Sequence, residues 1–211
     1  MREERGKDAM NRTTSRGWAR TAVALGTALA STVLCTTAGA AAPGSAGTTA
    51  PRTCPVVYFD LGETLVHTAE DGGIGYRPGA AAYLRALRER HIQVGLITNV
   101  PPSWGTTDAA RAARLKQEVD ATWRGPVPFA WADFGDRILT PRTEAERKPA
   151  PALWQRAKAA GSRCRLVHQA ETAEEVRAAA ALGFVPYQVG RPHLPAFLPV
   201  RLVELLGHRP R

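Results

Sequence analysis

The stretch V56VYFDLGETLV66 decides the fold class of this chain. It opens with β-branched and aromatic residues in an almost unbroken apolar run, which is typical of a strand buried on both faces of a parallel sheet. The run ends on a carboxylate, Asp60, and a glycine, Gly62, follows two residues later. A carboxylate at the end of a central strand is costly to bury unless it is paired, coordinates a metal or has a function. The stretch therefore predicts a buried strand that delivers Asp60 to a functional site.

Outward from this strand, apolar strand patterns alternate with amphipathic helix patterns. The predicted strands lie at residues 54–61, 92–99, 137–139, 164–169 and 184–189, and the predicted helices at 80–90, 106–123, 148–161, 172–183 and, in part, 199–206. Such alternation predicts a three-layer, doubly wound α/β domain with a parallel sheet of Rossmann type. Sheets of this kind bind ligands at the carboxyl ends of their strands, so the residues that follow each strand are the candidates for function.

Polar side chains cluster at these predicted strand ends. They are Asp60 after the first strand, Thr98 and Asn99 after the second, Glu171 and Glu175 after the fourth, and Lys148 at the start of the helix before it. An aspartate can attack phosphorus to form an aspartyl phosphate, while a hydroxyl and an ammonium hold the phosphoryl oxygens. Carboxylates can also bind Mg²⁺, which neutralises the charge that would repel the nucleophile. The set predicts phosphoryl chemistry with Mg²⁺ as cofactor.

In order and spacing, these residues resemble the four motifs of the haloacid dehalogenase-like (HAD) hydrolases. That family carries Asp-x-Asp-x-Thr after its first strand, Ser or Thr after its second, a later Lys, and an acidic pair after its fourth. The matching stretches are F59DLGETLV66, L96ITN99, K148PAP151 and A170ETAEE175. The resemblance covers most of the chain after residue 54 and implies a HAD-like domain at residues 54–211.

The resemblance also implies a role for each matching residue. It implies Asp60 as nucleophile and metal ligand, the Gly62 carbonyl as a further metal ligand, Thr98 and Asn99 as phosphoryl-binding residues, Lys148 as the cation that steadies nucleophile and phosphate, and Glu171 and Glu175 as ligands of Mg²⁺, directly or through water. The substrate it implies is a phosphorylated small molecule or macromolecule.

The first motif departs from the family pattern at Gly62. Most phosphatases of the family have a second Asp there, which protonates the leaving group and then activates water. General acid–base help is typically worth about 10²–10⁴-fold, so Gly62 implies slow turnover or a replacement. Glu63 and His67 are the nearest candidates for that replacement.

The fourth motif departs as well, since Ala170-Glu171 replaces Gly-Asp and Glu175 replaces the last Asp. Thr172-x-x-Glu175 is also the pattern of a capping box, in which two side chains satisfy the free amides at a helix start. Glu175 suits the positive end of a helix dipole too. Both interpretations of Glu175, helix cap and metal ligand, are open at this point.

Access to the predicted site follows from what lies between the motifs. Residues 67–77 alone separate the first strand from its helix, and a helix, a strand and loops take up residues 99–148. Neither segment holds a cap domain, so the resemblance is to the capless type with an open site. The glycines at 72 and 73 predict a flexible flap beside the site. Trp104, which follows the second strand, is expected to line the pocket.

Two cysteines, Cys54 and Cys164, remain once residues 1–40 are set aside. In the sheet of the HAD family, the first and fourth strands are parallel neighbours, about 4.8 Å apart. The resemblance therefore implies that both cysteines fall near the start of adjacent strands, within the usual Cα range of a disulfide. We expect a Cys54–Cys164 bridge, and a reduced buried pair is the alternative.

The first forty residues read as a secretory signal peptide. Arginines at 12, 16 and 20 precede the apolar run T21AVALGTALASTVLC35, and Ala38-Gly39-Ala40 forms a small-x-small cleavage site. A retained N-terminal anchor is the alternative. Residues 41–53 read as a disordered leader. We therefore expect a secreted or extracytoplasmic protein without stable membrane insertion after cleavage.

The net charge of +9 does not indicate nucleic-acid binding. Residues 1–40 hold six of the 28 basic and three of the 19 acidic residues, so the remainder carries 22 against 16, or +6. These charges are scattered and form neither a block nor an aromatic-interleaved stripe, which favours a solvated surface.

The leading interpretation is a secreted, magnesium-dependent HAD-like phosphomonoesterase that acts through an aspartyl phosphate on Asp60. The alternative is a catalytically impaired domain that binds a phosphorylated ligand or protein partner without turnover. Gly62 and the altered fourth motif favour the alternative.

Overall fold

The computed structural model describes residues 54–161 and 163–207. The predicted signal peptide at 1–40 and the predicted leader at 41–53 lie outside the described residues. In chain order the elements are β1 (Val56–Phe59), β2 (Val66–Thr68), β3 (Ile74–Tyr76), α1 (Ala80–Glu89), β4 (Gln93–Ile97), α2 (Asp108–Thr122), β5 (Ile138–Leu139), α3 (Ala152–Ala160), β6 (Leu166–Ala170), α4 (Ala173–Ala181), β7 (Val185–Gln188) and α5 (Val200–Gly207).

Five of these strands form one parallel sheet in the order β5-β4-β1-β6-β7. All four residues of β1 are buried, because β4 and β6 pair with it on either side and helices cover both faces. Strands β4 and β5 extend the sheet on one side of β1, and β6 and β7 extend it on the other side. This arrangement is typical of a doubly wound sheet. The fold class predicted from the sequence is confirmed.

Side-chain alternation along β1 divides the core into two layers. Val57 and Phe59 join a larger core with apolar residues of α1, α2 and α5, whereas Val56 and Tyr58 join a smaller core with residues of α3 and α4. The sheet is thus the middle of three layers. Among the described residues, none of the helices combines the length and apolar character needed to cross a membrane.

A small antiparallel hairpin, β2–β3, fills the chain between β1 and α1. Its tip is closed by hydrogen bonds from the Gly72 N–H to the Ala69 carbonyl (2.9 Å) and from the Gly73 N–H to Asp71 Oδ1 (2.9 Å). Gly72 has φ 80°, a left-handed conformation that favours glycine. The sequence predicted a flap here but not the two strands, because three residues are too few to show a strand period.

A disulfide joins Cys54 and Cys164, with a Cα–Cα distance of 5.0 Å. The register of β1 and β6 pairs Val56 with Leu166, so each cysteine precedes its strand by two residues at the same level. The predicted bridge is confirmed, and it lies at the amino end of the sheet.

Candidate active site

Asp60 lies directly beyond the carboxyl end of β1, at the centre of the sheet. Its N–H donates to the Gln169 carbonyl (3.0 Å), which extends the pairing of β1 with β6 by one residue. The chain then turns sharply, as the N–H groups of Leu65 and Val66 both donate to the Leu61 carbonyl at 2.9 and 3.1 Å. This turn fixes the Asp60 side chain at the strand end while the chain leaves for the hairpin.

The Lys148 ammonium bridges two carboxylates. Nζ lies 2.6 Å from Asp60 Oδ1 and 2.7 Å from Glu175 Oε2. The lysine side chain is 1% exposed, and the two carboxylates are 14% and 17% exposed. Charge-assisted hydrogen bonds of this length are among the stronger ones in proteins. The fold thus brings together three charged groups from the end of β1, the loop before α3 and the first turn of α4.

Asn99 holds the main chain of Lys148 in place. Its Nδ2 donates to the Lys148 carbonyl (3.1 Å), and its Oδ1 accepts from the Lys148 N–H (2.8 Å). The Asn99 amide therefore binds the peptide groups before and after Lys148. These two bonds anchor the lysine loop to the chain that follows β4. The expected role of Asn99 in substrate binding stays a prediction.

Thr64 connects the first and fourth motifs. Its Oγ1 donates to Asp60 Oδ2 (3.5 Å) and accepts from the Glu171 N–H (3.1 Å), and the residue is fully buried. Sequence reasoning assigned no role to this residue. The available signal was its position as the threonine of the first motif, four residues after Asp60.

Glu171 is held through its main chain, since its carbonyl also accepts from Gln188 Nε2 (3.0 Å). Its negative charge is near enough to act on Glu175. Burial raises the pKa of Glu175 above its usual value; Lys148 opposes this shift, and the charges of Asp60 and Glu171 add to it. Two carboxylates, Asp60 and Glu175, therefore pair with the Lys148 ammonium, and the charge of a third, Glu171, acts on Glu175.

The capping-box interpretation of Glu175 is wrong. Thr172 is the N-cap of α4, but its side chain makes no capping hydrogen bond. The Glu175 carboxylate pairs with the Lys148 ammonium instead.

The donors that could hold Mg²⁺ are the carboxylates of Asp60 and Glu171 with the carbonyl of Gly62. In the part of the chain that the structure describes, no group of three or more His, Cys, Asp or Glu residues is arranged to hold a metal. Mg²⁺ commonly takes only one or two carboxylates and completes its shell with water and substrate phosphate. The donor chemistry fits this ion, and binding of Mg²⁺ by these residues and Glu175 stays a prediction.

Thr98 and Trp104 follow β4 on the same edge of the sheet. Phe59 pairs with Leu96, so Asp60 is level with Ile97 and Thr98 comes one residue further along the chain. Thr98 is 5% exposed, and its N–H donates to the Leu139 carbonyl (3.1 Å). Trp104 is half-buried in a 3-10 turn, Pro102–Trp104, and packs against the larger core. Their expected contacts with substrate stay predictions.

Gly62 is exposed, and a Cβ added to it would meet no atom within 4 Å. The next residue, Glu63, has φ 49° and pairs with His67, whose Nδ1 lies 2.7 Å from Glu63 Oε2. The His67 hydrogen bond is the main cause that lowers the pKa of Glu63. Both candidates for the missing acid or base are therefore in contact with each other.

His168 lies in β6 but takes no part in this constellation. It is fully buried against the rings of Trp154 and Phe184, and its two ring nitrogens lack hydrogen-bond partners among the described residues. Burial, with a contribution from the Lys148 charge, lowers its pKa to about 3. The residue is a neutral histidine in the core.

No protein-family model matches this chain. A search of curated proteins likewise gives no match. Among solved structures, a protein from Mesorhizobium loti described as a HAD-like phosphatase shares 16% identity, with a TM-score of 0.40, over 64% of this chain and 71% of its own. An uncharacterised protein from Listeria monocytogenes serotype 4b shares 15% identity, with a TM-score of 0.43, over 69% of this chain and 87% of its own. Similarity at this level does not by itself assign a family or an activity to this chain.

Proposed function

We propose that this protein is an exported HAD-like phosphomonoesterase that uses Mg²⁺ and acts through an aspartyl phosphate on Asp60. The observation that carries the proposal is the contact between Lys148 Nζ and Asp60 Oδ1 at 2.6 Å, at the carboxyl end of the central strand. The buried ammonium orients this carboxylate, and a carboxylate oxygen is a nucleophile that can form a covalent intermediate.

The proposed reaction has two steps. An Asp60 oxygen attacks phosphorus, the bond from phosphorus to the leaving-group oxygen breaks, and an aspartyl phosphate forms. Water then attacks phosphorus, releases inorganic phosphate and restores the Asp60 carboxylate. Lys148 and Thr98 would hold the phosphoryl oxygens during both steps, since an ammonium and a hydroxyl supply hydrogen bonds where charge develops.

Charge balance supports the need for a cation. Lys148 pairs with both Asp60 and Glu175, and Glu171 is near enough for its charge to act on Glu175, so a site with these carboxylates ionised is negative and repels a phosphate dianion. Mg²⁺ held by Asp60, Glu171 and the Gly62 carbonyl would neutralise this charge and polarise the phosphoryl group. With Mg²⁺ bound, the site would attract the phosphate group of the substrate before the reaction begins.

The expected substrate and compartment follow from the surroundings of the site. The hairpin β2–β3 and the elements between β4 and α3 are small or belong to the sheet layers, which supports a capless, open site for a large phosphorylated substrate or one enclosed by an oligomer partner. The disulfide supports an oxidising compartment, where such bonds persist. With the signal-peptide pattern at 1–40, it supports export.

A second candidate function is binding of a phosphorylated ligand or protein partner without turnover. Gly62 favours it, since this residue cannot donate or accept the proton that the reaction requires. The two functions share the phosphate site and differ only in chemistry.

Hydrolysis of an aryl phosphate by the full chain, with and without Mg²⁺, tests the proposal. We expect magnesium-dependent release of phosphate by the wild type, background rates for Asp60→Asn, and wild-type rates for Asp136→Asn, a matched control at an exposed aspartate. A beryllium or aluminium fluoride complex should bind the wild type and not Asp60→Asn. Equal background rates in all three proteins, together with retained binding of a phosphorylated ligand, would favour the second function.

A further inference from the structure

The proposed reaction requires a proton donor for the leaving group, and the following inference rests on that proposed function. Gly62 has no side chain for this task, and the space around it is open. A replacement must come from a neighbouring element on the same edge of the sheet. Val66 bridges to Gly62, and His67 is the next residue along β2, so the histidine begins directly beside the vacant position.

The Glu63 side chain is fixed by several contacts. Its Oε2 contacts His67 Nδ1 (2.7 Å), and its Oε1 accepts from the Thr68 N–H (3.1 Å). The Arg77 guanidinium donates to its main-chain carbonyl. Glu63 is therefore held at both its side chain and its main chain.

These contacts orient the imidazole. An ionised carboxylate only accepts hydrogen bonds, so Nδ1 of His67 must carry the proton that faces Glu63. The opposite nitrogen, Nε2, is then the one that gains and loses a proton. A carboxylate that fixes a histidine in this way sets its tautomer and its ring orientation.

Stability does not account for the arrangement. Glu63 has φ 49°, a left-handed conformation that is unfavourable for a residue with a side chain. The His67–Glu63 pair is exposed, at 60% and 46% for the two side chains, and exposed ion pairs contribute little to stability. Unfavourable backbone conformations of this kind concentrate at functional sites.

His67 also lines a cleft of about 580 Å³ that could receive the leaving group. The cleft lies between the hairpin and residues 124–127, with Tyr76 and Val127 among its apolar residues. The charged groups that share it with His67 are Asp71, Arg77 and Arg124.

We propose that His67, oriented by Glu63, is the general acid and base of this site in place of the missing aspartate. In the first step Asp60 bonds to phosphorus, the bond to the leaving-group oxygen breaks, and Nε2 gives its proton to that oxygen. In the second step the neutral Nε2 takes a proton from the attacking water as the bond from Asp60 to phosphorus breaks. Each turnover consumes one water and returns His67 to its protonated form.

The test compares two substrates that differ in their need for a proton. An alkyl phosphate has a poor leaving group and requires protonation, whereas a nitrophenyl phosphate releases a stable anion. For His67→Gln we expect kcat/KM to fall about 10²-fold or more with the alkyl phosphate and to change little with the nitrophenyl ester. Because water activation is also lost, the nitrophenyl ester should show a burst of one nitrophenol per enzyme. His193→Gln, at an exposed histidine outside the site, should behave as wild type.

Two further readouts separate a role in proton transfer from a structural one. Gly62→Asp should restore alkyl phosphate hydrolysis in the His67→Gln background, since the added side chain enters open space. Nitrogen NMR should show neutral His67 with its proton on Nδ1 in the wild type, and this preference should be lost in Glu63→Ala. An active wild type with an unaffected His67→Gln variant, or with the proton on Nε2, overturns this inference alone. A wild type without turnover of any monoester overturns the proposed function with it.

Discussion

The two ends of the β1–β6 strand pair are built on different principles. At the amino end, Cys54 and Cys164 are joined covalently. At the carboxyl end, Asp60 and Glu175 meet only through Lys148, which carries one positive charge between two negative ones. A disulfide stabilises by restricting the unfolded chain, whereas a buried ion pair contributes little net stability because its charges lose their water. The sheet thus carries its stabilising link at one end and its buried charged groups at the other.

The amino end should show the largest effect on stability. The disulfide closes a loop with a sequence separation of 110 residues, and a loop of this length corresponds to about 4–5 kcal/mol in the chain-entropy description. We expect the double variant Cys54→Ala/Cys164→Ala to lose that amount of unfolding free energy in urea. Dithiothreitol should impose the same loss on the wild type and none on the variant. A loss below about 1 kcal/mol would remove the contrast between the two ends.

At the carboxyl end, removal of the Lys148 ammonium should cause the second largest loss of unfolding free energy. Lys148→Met leaves Asp60 and Glu175 facing each other without a counter-charge, and breaking a buried ion pair from one side costs about 3–5 kcal/mol. We expect that loss in urea unfolding at neutral pH. Adding Glu175→Gln should recover part of it, because the second variant removes one of the two repelling charges. A single variant as stable as the wild type would contradict the idea that the charges at this end depend on Lys148.

Between the two ends, His168 should make the protein sensitive to acid. Its pKa is lowered from 6.5 to about 3 in the folded state, so below pH 6.5 the unfolded chain binds a proton that the folded chain excludes. Stability contributed by the neutral side chain is present above pH 6.5 and is lost as pH falls towards 3. The loss is about 1.4 kcal/mol per pH unit, or roughly 3 kcal/mol at pH 4.5.

His168→Leu should remove this part of the pH dependence. Urea unfolding at a series of pH values should give a flatter profile between pH 6.5 and 4.5 for this variant, whereas His193→Gln should keep the wild-type slope. Equal slopes in the wild type and His168→Leu would show that the buried imidazole accepts a proton in the folded state.

The sequence predicted the fold because the strong signals are local and consistent. The run at 56–59 is apolar throughout, and the helical patterns at 80–90 and 172–183 have clear apolar faces; all three elements are present in the structure. The disulfide was implied by the resemblance to the HAD family, in whose sheet the first and fourth strands are neighbours. The strand and helix predictions depend on the period of a pattern, which a sequence carries, whereas the neighbouring strands came from the resemblance.

For the candidate site, the sequence predicted that Asp60, Lys148 and Glu175 lie near one another, but it did not predict which contacts they make. The three residues were selected by their positions after predicted strands or at the start of a predicted helix. Whether Glu175 caps a helix or forms an ion pair depends on its contact with Lys148, 27 residues earlier in the chain. Thr64 gained its importance only when the turn after β1 placed it beside the main chain of Glu171, 107 residues away. Such side-chain pairings arise from tertiary packing, which no local pattern reports.

Asn99 offers the smallest and most selective change at the carboxyl end. Asn99→Ala removes both hydrogen bonds to the Lys148 main chain, and a loss of about 1–2 kcal/mol in unfolding free energy is expected from two bonds of this type. Asn99→Asp keeps the acceptor for the Lys148 N–H but sets an oxygen against the Lys148 carbonyl, so it should be no more stable than the alanine variant. If the protein is a phosphatase, both variants should lower kcat more than they raise KM, because a displaced Lys148 supports the reaction less well. An aspartate variant as stable as the wild type would show that the amide does not donate to that carbonyl, and the bond from the Lys148 N–H would then be the one by which residue 99 holds the lysine loop.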